Sequence, residues 1–292
     1  DDNTGIWLAR FDGKSWSEPQ EVISSGKTVC WRPVLAKLPS GETLLFYRTG
    51  PTPRDVVSFI KRSNDGGLTW SDPEIQPAGV IGPMNSSLIV TPEGKLLIPS
   101  SVETGESENA YKATALWIEL SEDGGHHWKK AGPLEIPGQK FGAISPALFY
   151  DKEHNLRLLC RDRAHKIGGT GHIWTSVSKD GGNSWSELTR TSLPNPDSSI
   201  ATVDLGDGKI VLFYNHSHTE RRPLHVAVSL DGGDSWSKPY AIEEKSGEFA
   251  AAVLASDGLI HVTYAFESKK DQRQIKHATL DPAKLLEEAS RD

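Results

Sequence analysis

Four copies of one short phrase divide this chain of 292 residues. They run from Ser63 through Asp65 and Gly67 to Trp70, from Ser121 through Asp123 and Gly125 to Trp128, from Ser178 through Asp180 and Gly182 to Trp185, and from Ser229 through Asp231 and Gly233 to Trp236. A shortened fifth copy spans Asp12 to Trp16. The full copies recur at roughly 50 to 58 residues, the range of a repeated small β-sheet. Within each, the Asp side chain can accept backbone N–H groups, two glycines supply the positive φ of a tight turn, and the indole covers the turn. A unit this long buries its apolar face only against a neighbour, so the copies must pack on one another.

Each unit reads as four strands. In the first full unit, 31–38, 43–48 and 57–62 are strands one to three, and the fourth begins at Trp70. Turn signals at Gly41, Gly94, Gly208 and Gly258 separate strands one and two. The apolar runs 44–47, 96–98, 158–160, 210–213 and 260–264 have strand length and fit inner strands covered on both faces. The repeats fall near 31–78, 83–135, 143–193, 198–243 and 249–280, preceded by a partial unit at 5–22 that supplies strands three and four only. The expectation is an all-β, single-domain, six-bladed propeller over 1–292 whose first blade is truncated. A five-bladed ring, in which 5–22 completes the last blade, is the alternative. Helical character is confined to a short C-terminal helix or tail at 281–292.

Composition narrows the function classes. A formal net charge of −7 argues against nucleic acid and anionic membranes as partners. No apolar run approaches roughly 18 residues, so no membrane span is expected. Cys30 and Cys160 lie in different repeats and read as small apolar residues rather than a pair. No metal-ligand spacing is visible, and no cofactor is expected. The opening Asp1-Asp2-Asn3 suggests that residues precede it, which leaves export open.

The turn phrase resembles the Asp box of the sialidase-like β-propellers, and the resemblance covers nearly the whole chain. It implies a propeller with Asp boxes on its outer rim, an acidic oligosaccharide or glycoconjugate as partner, and a secreted or periplasmic location. Family members hold a sugar carboxylate with three arginines, use an Asp as acid, and attack with a Tyr–Glu pair. Trp31-Arg32-Pro33-Val34 is similar to the family's opening of a first strand, and Gly41 to Arg48 is similar to the second strand that follows it. Asp55 falls in the loop of the family's acid. Leu158 to Asp162 resembles the segment carrying the second arginine, here Arg161, and Asn215 to Arg222 the segment carrying the third, here Arg221. The resemblance thus implies substrate binding by Arg32, Arg161 and Arg221, with Arg48 beside them. The guanidinium fork suits this task because it serves both oxygens of a carboxylate at once.

Other elements of the family pattern differ. The nucleophilic Tyr belongs in the first strand of the last blade, which here reads Glu248-Phe249-Ala250 and on to Val253. The partner Glu belongs where this chain has Gly142 to Pro146. Glu248 is the candidate replacement nucleophile. Loops after second strands add Glu103, Glu106, Asp162, His165, His216, His218, Glu220, Tyr264 and Glu267. Asp55 or Glu103 as acid gives a hydrolase. His216 or Tyr264 as base, abstracting a proton beside an arginine-held uronate, gives a lyase. A non-catalytic carbohydrate-binding propeller and a protein-interaction scaffold are the further alternatives. Trp31, Trp117, Phe141 and Trp174 are candidates to stack a sugar face, while His126, His127 and His172 are expected on the rim.

Overall fold

The computed structural model describes residues 4–291 except 25, 27, 106–110, 139–141, 164–168 and 270–271. Glu106, Phe141 and His165 therefore lie outside the described residues. The chain is an all-β propeller. Four antiparallel four-stranded blades follow in order: β3 (Cys30–Lys37) to β6 (Glu74–Ile75), β7 (Ile89–Val90) to β10 (Lys129–Leu134), β11 (Ala143–Tyr150) to β14 (Thr189–Pro194), and β15 (Ala201–Asp204) to β18 (Tyr240–Glu243). A fifth blade has three strands, β19 (Glu248–Leu254), β20 (Ile260–Lys269) and β21 (Gln272–Leu280). It leads into helix α1 (Pro282–Ala289), capped by Asp281, whose carboxylate accepts from the Ala283 N–H. A two-stranded sheet, β1 (Ile6–Leu8) and β2 (Gln20–Ile23), precedes them.

The four Asp boxes are built alike. Ser63 Oγ accepts from Gly67 N at 2.6 Å and donates to Asp65 Oδ1 at 2.7 Å, while Asp65 accepts from Thr69 N at 2.9 Å. The other three repeat the central bond, with Gly125, Gly182 and Gly233 donating to Ser121, Ser178 and Ser229 at 2.8, 2.9 and 2.7 Å. At Gly67 φ is 85°, and a Cβ there would sit 3.0 Å from the Trp70 ring, so no other residue fits comfortably. The residue after each Trp closes the hairpin, as Ser71 N donates to Arg62 O at 2.8 Å. For that reason the fourth strand starts several residues after Trp70, at Glu74, rather than at the indole as expected.

Apolar side chains fill the seams between blades. Val34, Leu44 and Phe46 meet Leu96 and Ile98 of β8 (Leu96–Gly105). Leu97 and Leu116 meet Leu148 and Leu158, Phe149 and Leu159 meet Leu212 and Tyr214, and Val203 and Phe213 meet Ala250, Val262 and Tyr264. Ile6 and Ile23 of the two-stranded sheet pack on Leu45 and Tyr47. At its other side Phe11 and Trp16 meet the His277 ring at centroid distances of 5.0 and 5.3 Å, which closes the circle.

The first strands report the difference between complete and incomplete neighbours. β11 is buried on both faces. On β3, Leu35 is 48 % exposed, and on β19, Val253 is 59 % exposed, each on the face toward β1–β2. β1 and β2 pair with each other and not with β21, so the arrangement in which 5–22 completes the last blade is not the one found. Both thiols are free, Cys160 buried and Cys30 half-buried. No described helix is long and apolar enough to cross a membrane.

Candidate functional site

Three first strands reach their inner ends through the same unusual backbone, and a fourth left-handed residue sits in the loop ahead of β15. Arg32, Ser145, Asp197 and Phe249 all have left-handed φ, at 49°, 51°, 60° and 56°. At Arg32, Ser145 and Phe249 the register with the second strand slips by one residue, so the backbone bulges and re-aims one side chain. Non-glycine residues pay for that conformation, and such strain gathers at sites. Nothing in residue type announces it beforehand.

At this end five arginines from three blades draw together. Arg48, fully buried on β4 (Thr43–Thr49), donates through Nη2 to the carbonyls of Gly82 and Pro83 at 2.8 and 3.1 Å. Arg32 donates to the Met84 carbonyl at 3.1 Å. The loop bearing these carbonyls is itself held from behind. The buried Glu119 carboxylate accepts from Ile81 N and Gly82 N, both at 2.8 Å, and from Ser100 Oγ at 2.9 Å. Burial pushes the Glu119 carboxyl upward, and these bonds oppose that rise.

Asp197 forms the hub for the other three. Arg161 Nη1 bonds to its backbone carbonyl and lies 3.0 Å from Oδ1. Arg163 Nη1 donates to Oδ2 at 2.9 Å. Arg221 Nη2 donates to the carbonyl at 2.8 Å and stands 3.8 Å from Oδ2. The Asp197 side chain is fully buried. Its turn is clamped by Asn195, whose Oδ1 accepts from Ser198 N at 2.8 Å. Gly171 allows strand β13 (His172–Ser178) to abut that turn, since a Cβ there would fall 2.0 Å from the Asn195 carbonyl.

Two further carboxylates border the cluster. Glu103 on β8 accepts from Arg163 Nη2 at 2.8 Å, and Glu248 on β19 lies 3.5 Å from Arg221 Nη1. Burial lowers the Arg161 and Arg48 guanidinium pKa values to about 10, with Asp197 opposing the fall at Arg161 and the positive Arg32 deepening it at both. Arg32 moves down for the same first reason, with Glu103 opposing. All three stay charged at neutral pH. Arg161 Nε finds no acceptor among the described residues, although the side chain is nearly fully buried. Unspent donors in a buried cation are what an anion site requires.

The expected residues thus sort into two groups. Arg32, Arg48, Arg161, Arg221, Glu103 and Glu248 come together. Asp55 does not join them through any described contact; it is exposed on the loop after β4 and accepts from Thr52 Oγ1 at 3.1 Å. Tyr264, expected as a base, is a core residue: it packs among Val226, Ala250 and Val262, because alternate residues of β20 face the seam between blades. His216 is exposed at the end of β16 (Ile210–Tyr214), with Nδ1 2.5 Å from the buried Tyr214 hydroxyl. Burial, His225 and His218 push its pKa down. His126 and His127 are exposed as expected, but His172 is buried, with its ring 4.8 Å from that of His218.

The aromatic candidates are spent on packing and on local bonds. Trp31 Nε1 donates to Gly50 O at 2.9 Å, Trp174 Nε1 donates to Asp162 Oδ2 at 2.7 Å, and Trp117 lies under Lys130 Nζ at 4.4 Å. Asp197 and Arg163 are the members that reading the sequence for site residues left out. The pairing of Arg163 with Arg161 at i and i+2, on one face of a strand end, was the available signal. For Asp197 there was only its place before a first strand. Beyond the cluster, Arg221 and Glu248 form the wall of an open depression of about 480 Å³, lined also by Glu220, Arg222, Lys245 and Glu267. Among the described residues, no group of three or more His, Cys, Asp or Glu could hold a metal ion.

Residues 1–262 match the family described as BNR repeat-like domain. A sialidase from Micromonospora viridifaciens is 23 % identical over 294 residues, covering 86 % of this chain and 43 % of its own length. The chain therefore spans less than half of that relative. A crystal structure of a protein of unknown function from Dyadobacter fermentans superimposes with a TM-score of 0.77 at 17 % identity, covering 96 % of this chain and 85 % of the other. The Trypanosoma rangeli sialidase in complex with sialic acid superimposes with a TM-score of 0.66 at 17 % identity, over 99 % of this chain and 51 % of that one. At such identities the structural likenesses establish the fold.

Proposed function

The chain belongs to the BNR repeat-like domain family, and from that premise we propose that it is an exo-acting glycoside hydrolase for a glycan bearing an acidic sugar. The observation that carries this reading is the meeting of Arg32, Arg161, Arg163 and Arg221, from three blades, around one point with two carboxylates at its border. Arg32 and Arg221 grip the sugar carboxylate. Arg161 adds positive charge from behind. Glu103 serves as acid to the leaving oxygen, and Glu248 takes the place of the absent Tyr, as nucleophile or as base toward water. Asp55 stays outside the chemistry. Such a substrate places the protein outside the cytoplasm, secreted or periplasmic.

The two-stranded sheet is the outer half of a sixth blade in this reading. The exposed faces of Leu35 and Val253 support it, because they border the space where that blade's inner strands belong.

The test is incubation with aryl glycosides of N-acetylneuraminate and glucuronate, followed by NMR of the first sugar released. Turnover that disappears in Glu248→Gln, with binding kept, supports the assignment. Binding without turnover overturns it in favour of a carbohydrate-binding propeller. A second reading rests on the short Tyr214–His216 contact, which gives a lyase base beside the Arg221 loop. Its mark is an ultraviolet-absorbing unsaturated uronate, which no hydrolase makes.

A further inference from the structure

Arg161 and Arg163 are not equivalent to Arg32 in what they have left to give. Both are ion-paired to Asp197 at 2.9 to 3.0 Å, and Arg163 is also bound to Glu103. Among the described residues Arg32 is bonded only to a backbone carbonyl, and Arg221 donates to the Asp197 carbonyl with carboxylates at 3.5 and 3.8 Å. Arg32 and Arg221 therefore keep more donor capacity for a ligand than Arg161 and Arg163 do. A carboxylate has two oxygens and is served by two forks. A sulfate or phosphate ester has three terminal oxygens, and the donors that would meet the third are those that Asp197 holds. Its buried negative charge also repels a second charge on the ligand.

We propose that Asp197 is the specificity-determining residue of the arginine cluster, restricting it to sugars that carry a carboxylate and rejecting their sulfated or phosphorylated counterparts. This rests on the acidic-sugar reading above and assigns that reading's selectivity to one residue. Asp197 is suited to the task because its place cannot drift. Three arginines hold it, its backbone is left-handed at φ 60°, and Asn195 and Gly171 fix the turn that bears it.

The experiment compares glucuronate with glucose 6-phosphate by calorimetric titration, at a pH well above the second phosphate pKa of about 6. Wild type is expected to bind glucuronate more tightly. In Asp197→Asn the ratio of the two affinities shifts toward the phosphate by about tenfold, the scale of one like-charge contact removed. Arg163→Gln weakens both ligands without moving the ratio toward phosphate. If Asp197→Asn leaves the buried cations unable to fold, the double variant Asp197→Asn with Arg163→Gln removes a cation together with the anion and carries the same expected shift. An unchanged ratio in a folded variant, with glucuronate still bound by wild type, overturns the assignment to Asp197 alone. Wild type that binds neither ligand overturns the acidic-sugar reading itself, and this inference with it.

Discussion

The rim and the axis of this propeller are built on opposite rules. On the rim, four Asp boxes repeat the same Ser, Asp and Gly bonds within four positions along the chain, although Arg62 and Arg157 reach the Gly124 and Gly232 carbonyls from other repeats. Toward the axis, three first strands share one left-handed backbone position, but it holds Arg32, Ser145 and Phe249 in turn, while Asp197 takes the same conformation in the loop ahead of β15. There the partners come from other blades. Repetition at the rim supplies architecture. Function is written where equivalent positions differ. A consequence is that damage should separate cleanly: rim substitutions change stability and spare binding, whereas axial ones divide according to whether the charge removed is buried and paired or turned toward a ligand.

The strongest break in that pattern is Arg161→Met. It leaves Asp197 buried with one cation fewer, and loss of one partner of a buried ion pair costs about 3–5 kcal/mol. Denaturant unfolding should show a loss of that order, together with loss of ligand binding. A midpoint equal to wild type would show that the Asp197 hub does not contribute to stability. Next in size is Arg32→Ala, whose guanidinium, among the described residues, holds only the Met84 carbonyl. Affinity for an acidic monosaccharide should fall about 100-fold, the range for a charged hydrogen-bonding partner. The melting temperature should stay within about 2 °C, and a larger fall would mark Arg32 as structural.

Asp123→Ala tests the rim. The Asp123 carboxylate accepts from His127 N at 2.9 Å and meets the His127 ring at 2.6 Å. Its loss should lower the melting temperature by about 2–4 °C, with sugar affinity unchanged. A change in affinity would show that the two regions are coupled.

The smallest effect is the dependence on pH. Burial lowers the pKa values of His172, His216 and His225 below 6.5 in the fold. The Asp boxes are lowered too, Asp180 to about 2, first through its bond from Ser184 Oγ. A group whose folded pKa is depressed binds fewer protons folded than unfolded, so its stabilisation is present at higher pH and lost on acidification. The melting temperature should therefore decline as pH falls from about 6.5, and decline again below about 3.9 as the Asp boxes protonate. A curve flat down to pH about 4 would count against the histidine part.

Much of the rim was legible in the chain, because a turn carries its own explanation. Asp, Gly and Trp at fixed spacing make the same local bonds in any blade, and the strands between them follow from apolar runs of the right length. The start of the fourth strand was less so, since Ser71 is taken by the hairpin before pairing resumes at Glu74. At the axis, Arg32, Arg161 and Arg221 could be picked out by resemblance and by their places at strand ends. What they are bonded to could not. Asp197 is one carboxylate among many in the sequence until the ring brings Arg161, Arg163 and Arg221 onto it. Tyr264 looked like a reactive side chain at a strand end, but β20 runs further than its apolar core and leaves that ring in a seam.

The loop that aims Arg32 and Arg48 belongs to the next repeat, and Glu119 steadies it from further along still. No single blade therefore owns the arginine cluster. Were the chain divided between the first two repeats, each fragment could keep its turns and strands yet hold guanidinium groups with nothing to point them, and recognition would return only on reassembly of the whole circumference.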